Sequence, residues 1–172
     1  LSQYVLDMSL RSSSNSLTVG QLRVLGAGTF VLGIDGFVLA GLLPQISTDL
    51  GISVAQAGQL TTFFAIAYAL ASPIIAIAAG RWERRRLLFL GMAVFAVGMV
   101  IQAVATSFTV MAIGRVLAAV GAAAFQSNAY AVAGVLSTNQ TRPRNLAAVA
   151  LGTSVSLVAG LPFGVAIGSW LG

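Results

Sequence analysis

Two charged residues stand where a charge is hard to keep. Asp35 lies near the middle of LRVLGAGTFVLGIDGFVLAGLLPQI (22–46), which holds no other charge after Arg23. Arg115 lies inside a second apolar run at 109–136. A charged side chain at a bilayer centre costs about 2.5–3.5 kcal/mol on the insertion scale, so such residues face protein or a water-filled cavity and mark ion or substrate paths. A carboxyl group so placed is a proton or cation site, a contact for a polar substrate, or a structural acid bonded to neighbouring helices. Burial favours the neutral form of a carboxyl group, and a nearby cation favours its charged form. A carboxyl group whose exposure and distance to Arg115 change between two conformations would therefore load and release a proton.

Depth makes the pairing testable. From the expected outer ends of their spans, Arg115 lies about six residues, roughly 9 Å, inward, and Asp35 about eleven residues, roughly 16 Å. An arginine side chain covers much of that difference if the helices are neighbours. Asp49, just past the outer end of the first span, is a rival partner. Snorkelling to the outer interface is the third outcome open to Arg115. Gln126 follows Arg115 by eleven residues and falls on nearly the same helical face, with Ala122 between. Thr61, Ala65, Tyr68 and Ser72 form one stripe on another span, and Phe37 follows Asp35 closely. Phe37, Tyr68 and Gln126 are candidates for the wall of a substrate cavity, with plain packing an equal reading.

Composition excludes most other chemistry. The 172 residues are 58% hydrophobic and 8% charged, against about 25% charged in ordinary soluble domains. A chain of this size cannot hide so much apolar surface from water, so its solvent is lipid. With no Cys there is no disulfide framework, thiol nucleophile or thiolate metal site. With no His, the commonest metal ligand and the usual general base are missing. No serine sits in a G-x-S-x-G motif. No enzyme activity, metal or cofactor is expected.

The elements that must position these residues are five apolar spans, at 22–46, 55–79, 87–106, 109–136 and 146–171. Each is near or above the roughly 20 residues an α-helix needs to cross about 30 Å of hydrocarbon. Strand alternation is absent, so the expected fold class is an all-α membrane bundle. Residues 1–20 are polar and Ser-rich, read as a flexible cytoplasmic tail, and Met8 is a plausible start in a chain that opens on Leu. The nine basic residues are all Arg, and eight of them fall on alternate connections: Arg11 and Arg23, then Arg81, Arg84, Arg85 and Arg86, then Arg142 and Arg144. By the positive-inside rule these connections and the N-terminus are cytoplasmic. The basic patch is therefore a topology signal and a contact for anionic lipid, with no nucleic acid implied. Five spans leave Gly172 on the outside.

On the fifth span Gly152, Ser156, Gly160, Gly164, Gly168 and Gly172 recur every four residues. Small residues at that spacing let helix backbones approach in lipid. Pro162 among them frees a carbonyl and favours a kink. Together they predict a helix that slides or bends against a neighbour.

Four stretches carry a family resemblance. IDGFVLAGLLPQISTDLGIS (34–53) resembles a first-helix signature in which an acid precedes Leu-Pro and a short outer loop. GRWERRRLL (80–88) resembles a basic loop between helices two and three, here with Arg81, Glu83, Arg84 and Arg85. GRVLAAVGAAAF (114–125) resembles a fourth-helix motif around an intramembrane Arg. VAGLPFGVAIGSWLG (158–172) resembles a fifth-helix antiporter motif of glycines flanking a proline. Over residues 20–172 the chain is similar to the N-terminal part of major facilitator superfamily transporters, of the drug–proton antiporter type that includes arabinose, nucleoside and chloramphenicol exporters. It departs at Gly80 and Glu83, where the family has Asp and Gly. It departs again at Ala118 and Ala119, which replace Gln and Gly, and at Leu161, which separates Gly160 from Pro162.

The resemblance implies a secondary active transporter in a bacterial inner membrane, exporting a small organic solute in exchange for protons. It implies that Arg115 tunes protonation of a membrane acid, and that Gly160, Pro162, Gly164 and Gly168 serve helix packing and conformational change. Helices one and four would line the central cavity, two and five would pack on the other half, and three would be peripheral. Transport would proceed by rocking of the halves about a midplane site. The expected partners are a small-molecule substrate, protons, the bilayer and the missing C-terminal half, without which the fragment could not alternate access. An uncoupled facilitator or importer, and a small scaffold protein docking a partner helix, are the competing readings.

Overall fold

The computed structural model describes residues 17–78 and 82–171. They form five long α-helices and, among the described residues, no strand: α1 (Val19–Asp49), α2 (Val54–Ala78), α3 (Arg84–Ala103), α4 (Phe108–Val135) and α5 (Arg142–Leu171). The first four are long and apolar enough to cross a membrane, and α5 runs for 30 residues.

Local hydrogen bonding explains why the helices start and stop where they do. α1 begins at Val19, ahead of its apolar run, because Thr18 and Gln21 form a reciprocal capping box. It ends in a Schellman turn, in which Ile52 N–H donates to Ser47 O at 3.0 Å and Gly51 N–H to Thr48 O at 3.2 Å. Gly51 occupies the left-handed position of that turn at φ 62°, where a side chain would be strained. Two residues later Ser53 and Gln56 cap α2 in the same reciprocal way. α3 starts at Arg84, earlier than the apolar stretch at 87, since basic side chains reach the interface while their backbone stays helical. It ends at Ala103, short of the expected 106, and Ser107 caps α4 by accepting from Val110 N–H. α5 starts at Arg142 because Thr138 and Thr141 tie the preceding turn and Arg142 N–H donates to Thr138 O at 2.8 Å. Pro143 falls in the first turn, where a missing N–H does no harm.

Small residues decide which helices meet. α1 packs most extensively on α5, α3 on α4, and α2 on α4. On the α3–α4 seam, glycines seven residues apart face each other in antiparallel register. A Cβ added to Gly98 would stand 2.8 Å from Gly114 O and 2.6 Å from Ala118 N; one on Gly121 would meet Gly91 O at 2.6 Å. The α1–α5 seam sets Gly26 and Gly33 against Gly152 and Ser156. Thr29 adds a buried hydrogen bond to Val149 O at 2.7 Å. α4 is the hub and buries Ala118, Ala119, Ala122, Ala123, Phe125, Ala129 and Ala133. Its short side chains allow close backbones, which is how helices associate where no hydrophobic force separates lipid from protein.

Candidate functional site

The hub helix carries its one charge into the bundle. Arg115 and Asp35 are 3% and 5% exposed, and Arg115 Nη1 donates to Asp35 Oδ2 at 2.7 Å. The pair joins α1 to α4. Arg115 thus takes Asp35 in preference to Asp49, which makes no ion pair among the described residues and lies exposed at the end of α1. Arg115 also lies over the Phe64 ring of α2, 5.8 Å from its centroid, a cation–π geometry. Its Nε is buried with no hydrogen-bond partner.

From this pair a polar and aromatic track continues along α2 and α4. Phe64 and Tyr68 lie one turn apart with rings stacked at 6.1 Å. The Tyr68 hydroxyl donates to Gln126 Oε1 at 3.1 Å, and Ser72 Oγ donates to Tyr68 O. Two of the three cavity candidates therefore meet each other. The third does not join them. Phe37 lies two positions beyond Asp35, about 200° round the helix, and its Cβ would be 2.6 Å from one added to Gly160 on α5. Thr61 and Ala65, expected on the Tyr68 stripe, are exposed.

Beside the ion pair, a cleft of about 380 Å³ opens between α1 and α3, walled by Val38, Leu39, Phe95, Met99 and Met111 and touching Gln102. Gln102 donates to Gly98 O in its own helix. Phe64 and Gln102 are the neighbours that sequence reasoning left out of the site. Phe64 had a signal, one helical turn before Tyr68. Among the described residues no cluster of three His, Cys, Asp or Glu could hold a metal.

The remaining candidates lie elsewhere. Glu83 pairs with Arg86 at 3.1 Å, both well exposed, while Arg84 and Arg85 make no ion pair among the described residues. Arg81 lies outside the described residues. Gly160 is buried against Phe37 and Ile34 of α1, whereas Pro162 is exposed on the other side of α5. The surroundings of Gly164 and Gly168 also lie outside the described residues.

Chemically, the pair is one titratable carboxyl group held by one permanent cation in a buried setting. Removing one member of a buried pair strands the other's charge at a cost of about 3–5 kcal/mol. Protonating Asp35 would remove its charge and leave Arg115 facing a neutral acceptor and the Phe64 ring.

Comparison with known proteins agrees with this architecture. A family model described as Major Facilitator Superfamily matches residues 25–172. The chain is 38% identical over 151 residues to a chloramphenicol resistance protein of Streptomyces lividans, covering 88% of this chain and 38% of that one. It is 30% identical over 152 residues to an uncharacterized MFS-type transporter, YbcL, of Bacillus subtilis strain 168, covering 88% and 39%. A bacterial homolog to the human lysosomal transporter Spinster, crystallised inward-facing and unoccupied, superposes with a TM-score of 0.76 at 28% identity, covering 84% of this chain and 30% of the other. The chain spans about two fifths of the length of the curated relatives it matches. With the match running through all five helices, this multi-pass membrane chain belongs to the major facilitator superfamily.

Proposed function

We propose that this chain forms part of a proton-coupled secondary transporter that exports small organic solutes, with Asp35 the proton carrier and Arg115 its counter-ion. The observation that carries the reading is the 2.7 Å ion pair, almost wholly buried and shared between two helices. A proton arriving on Asp35 would cancel the attraction that ties α1 to α4, so proton loading and helix movement become one event. The Tyr68–Gln126 track supplies a donor, an acceptor and two aromatic faces for a solute. The rest of the transporter would supply the opposite wall of the cavity and the second half of the rocking pair. Chloramphenicol is the first solute to try, since a relative 38% identical to the chain is named for resistance to it.

The experiment is drug efflux in everted membrane vesicles from cells making the intact transporter, with and without a pH gradient. Asp35→Asn is expected to abolish uphill, gradient-driven transport while membrane insertion stays normal. Uphill transport unchanged in Asp35→Asn would overturn the assignment. Flux indifferent to the pH gradient in the unaltered protein would point instead to an uncoupled facilitator.

A further inference from the structure

The cytoplasmic ends of α1 and α5 frame a second cleft, of about 610 Å³, remote from the ion pair. Its rim carries Arg23, Thr141 and Arg144, and its wall runs down over Phe30, Leu151 and Val155. Among the described residues the ion pairs are Glu83–Arg86 and Asp35–Arg115, so both rim guanidiniums lack a carboxylate. Each sits within about a turn and a half of its helix start, at headgroup depth, on the side the arginines mark as cytoplasmic. Phe30 lies seven residues, roughly 10 Å, deeper than Arg23, and Val155 eleven residues, roughly 16 Å, deeper than Arg144. The cleft is thus cationic at the headgroup level and apolar along the acyl chains. The larger cleft of about 910 Å³ between α1 and α3 is a poorer match for an anion, because Glu83 shares its rim with Arg85 and Arg86 and is already paired with Arg86.

We propose that the α1–α5 cleft binds an anionic phospholipid of the cytoplasmic leaflet, its phosphate between Arg23 and Arg144 and one acyl chain along Phe30, Leu151 and Val155. Basic pockets between membrane helices on this side suit such headgroups. A free phosphate would answer the rim and leave the apolar wall uncovered, so the lipid is the ligand the whole cleft describes. The site stands apart from proton coupling and does not depend on it.

The test is lipid titration of the intact protein in neutral detergent, read by native mass spectrometry and thermal unfolding. The probes are phosphatidylglycerol, phosphatidylcholine and inorganic phosphate. Phosphatidylglycerol is expected to bind and raise Tm, with the other two having little effect. Arg23→Gln/Arg144→Gln is expected to weaken phosphatidylglycerol binding about thirtyfold, roughly fivefold per basic residue at an anionic surface. The charge-matched control Arg84→Gln/Arg142→Gln, whose residues do not line the cleft, should keep most of it. Val155→Trp, which fills the wall and spares both arginines, should also abolish the Tm rise and serves if the double variant fails to fold. Equal losses in the double variant and its control, equal binding of phosphatidylcholine, or an equal effect of phosphate would each overturn the proposal.

Discussion

Asp35 and Arg115 hold α1 to α4 by opposite charges that neither helix tolerates alone. Arg115→Ala leaves a buried carboxylate without its cation, and should lower stability by about 3–5 kcal/mol, read as a fall in Tm in detergent. Asp35→Leu/Arg115→Met removes both charges at similar volume. It should restore most of that Tm while leaving transport uncoupled from the pH gradient. A double variant as unstable as the single one would show that the pair does more than satisfy itself. Tyr68→Phe removes one hydrogen bond, worth about 0.5–1.5 kcal/mol. Little change in Tm with a raised KM for solute is expected if the track contacts substrate. The sequence set both Asp35 and Asp49 within reach of Arg115, with snorkelling a third outcome, because charge and depth alone do not say which helices are neighbours; the packing of α1 near α4 selects Asp35. The place of Phe37 was not legible either. An aromatic residue suits a cavity wall or a helix seam equally, and only the facing Gly160 shows which seam it enters.

Helix pairing depends on where backbones may touch. Gly98→Ala puts a Cβ 2.6 Å from Ala118 N and 2.8 Å from Gly114 O, so the seam must open, at about 1–3 kcal/mol. Gly58→Ala meets nothing within 4 Å and gains up to about 1 kcal/mol of helix propensity. Thermal unfolding of the two variants should therefore move in opposite directions, and a matching shift would contradict the close α3–α4 approach. The row of small residues on α5 was plain because it repeats within one helix. The facing of Gly91 and Gly98 on Gly121 and Gly114 was not legible, since glycines seven apart within one helix name no partner, and their meaning appears once the helices are set antiparallel. The helix ends strayed by a few residues for a related reason. Apolar runs mark hydrocarbon, while Thr18, Ser107 and Thr138 mark where backbone hydrogen bonding begins.

Across the whole molecule, apolar residues such as Ile77, Phe89 and Trp170 are more than three-quarters exposed, which suits a surface meeting lipid or further helices and not water. By the positive-inside rule the spacing of the arginines predicts which end is cytoplasmic, and the chain's lack of cysteine makes that orientation simple to check. A single Asp49→Cys at the end of α1 should react with a membrane-impermeant maleimide from outside intact cells. Asn139→Cys, in the α4–α5 turn, should react only after permeabilisation. The reverse pattern would invert the topology. The two glycine-lined seams divide most of the bundle into an α1–α5 unit and an α3–α4 unit, and the Asp35–Arg115 pair spans the boundary between them. The Thr29 hydroxyl, seated between Gly26 O and Val149 O, pins the first of these units near mid-depth like a key in a shaft. A rotation of α5 that keeps this hydrogen bond would turn α1 with it, and would carry Asp35 relative to its arginine without any ligand having to touch the acid.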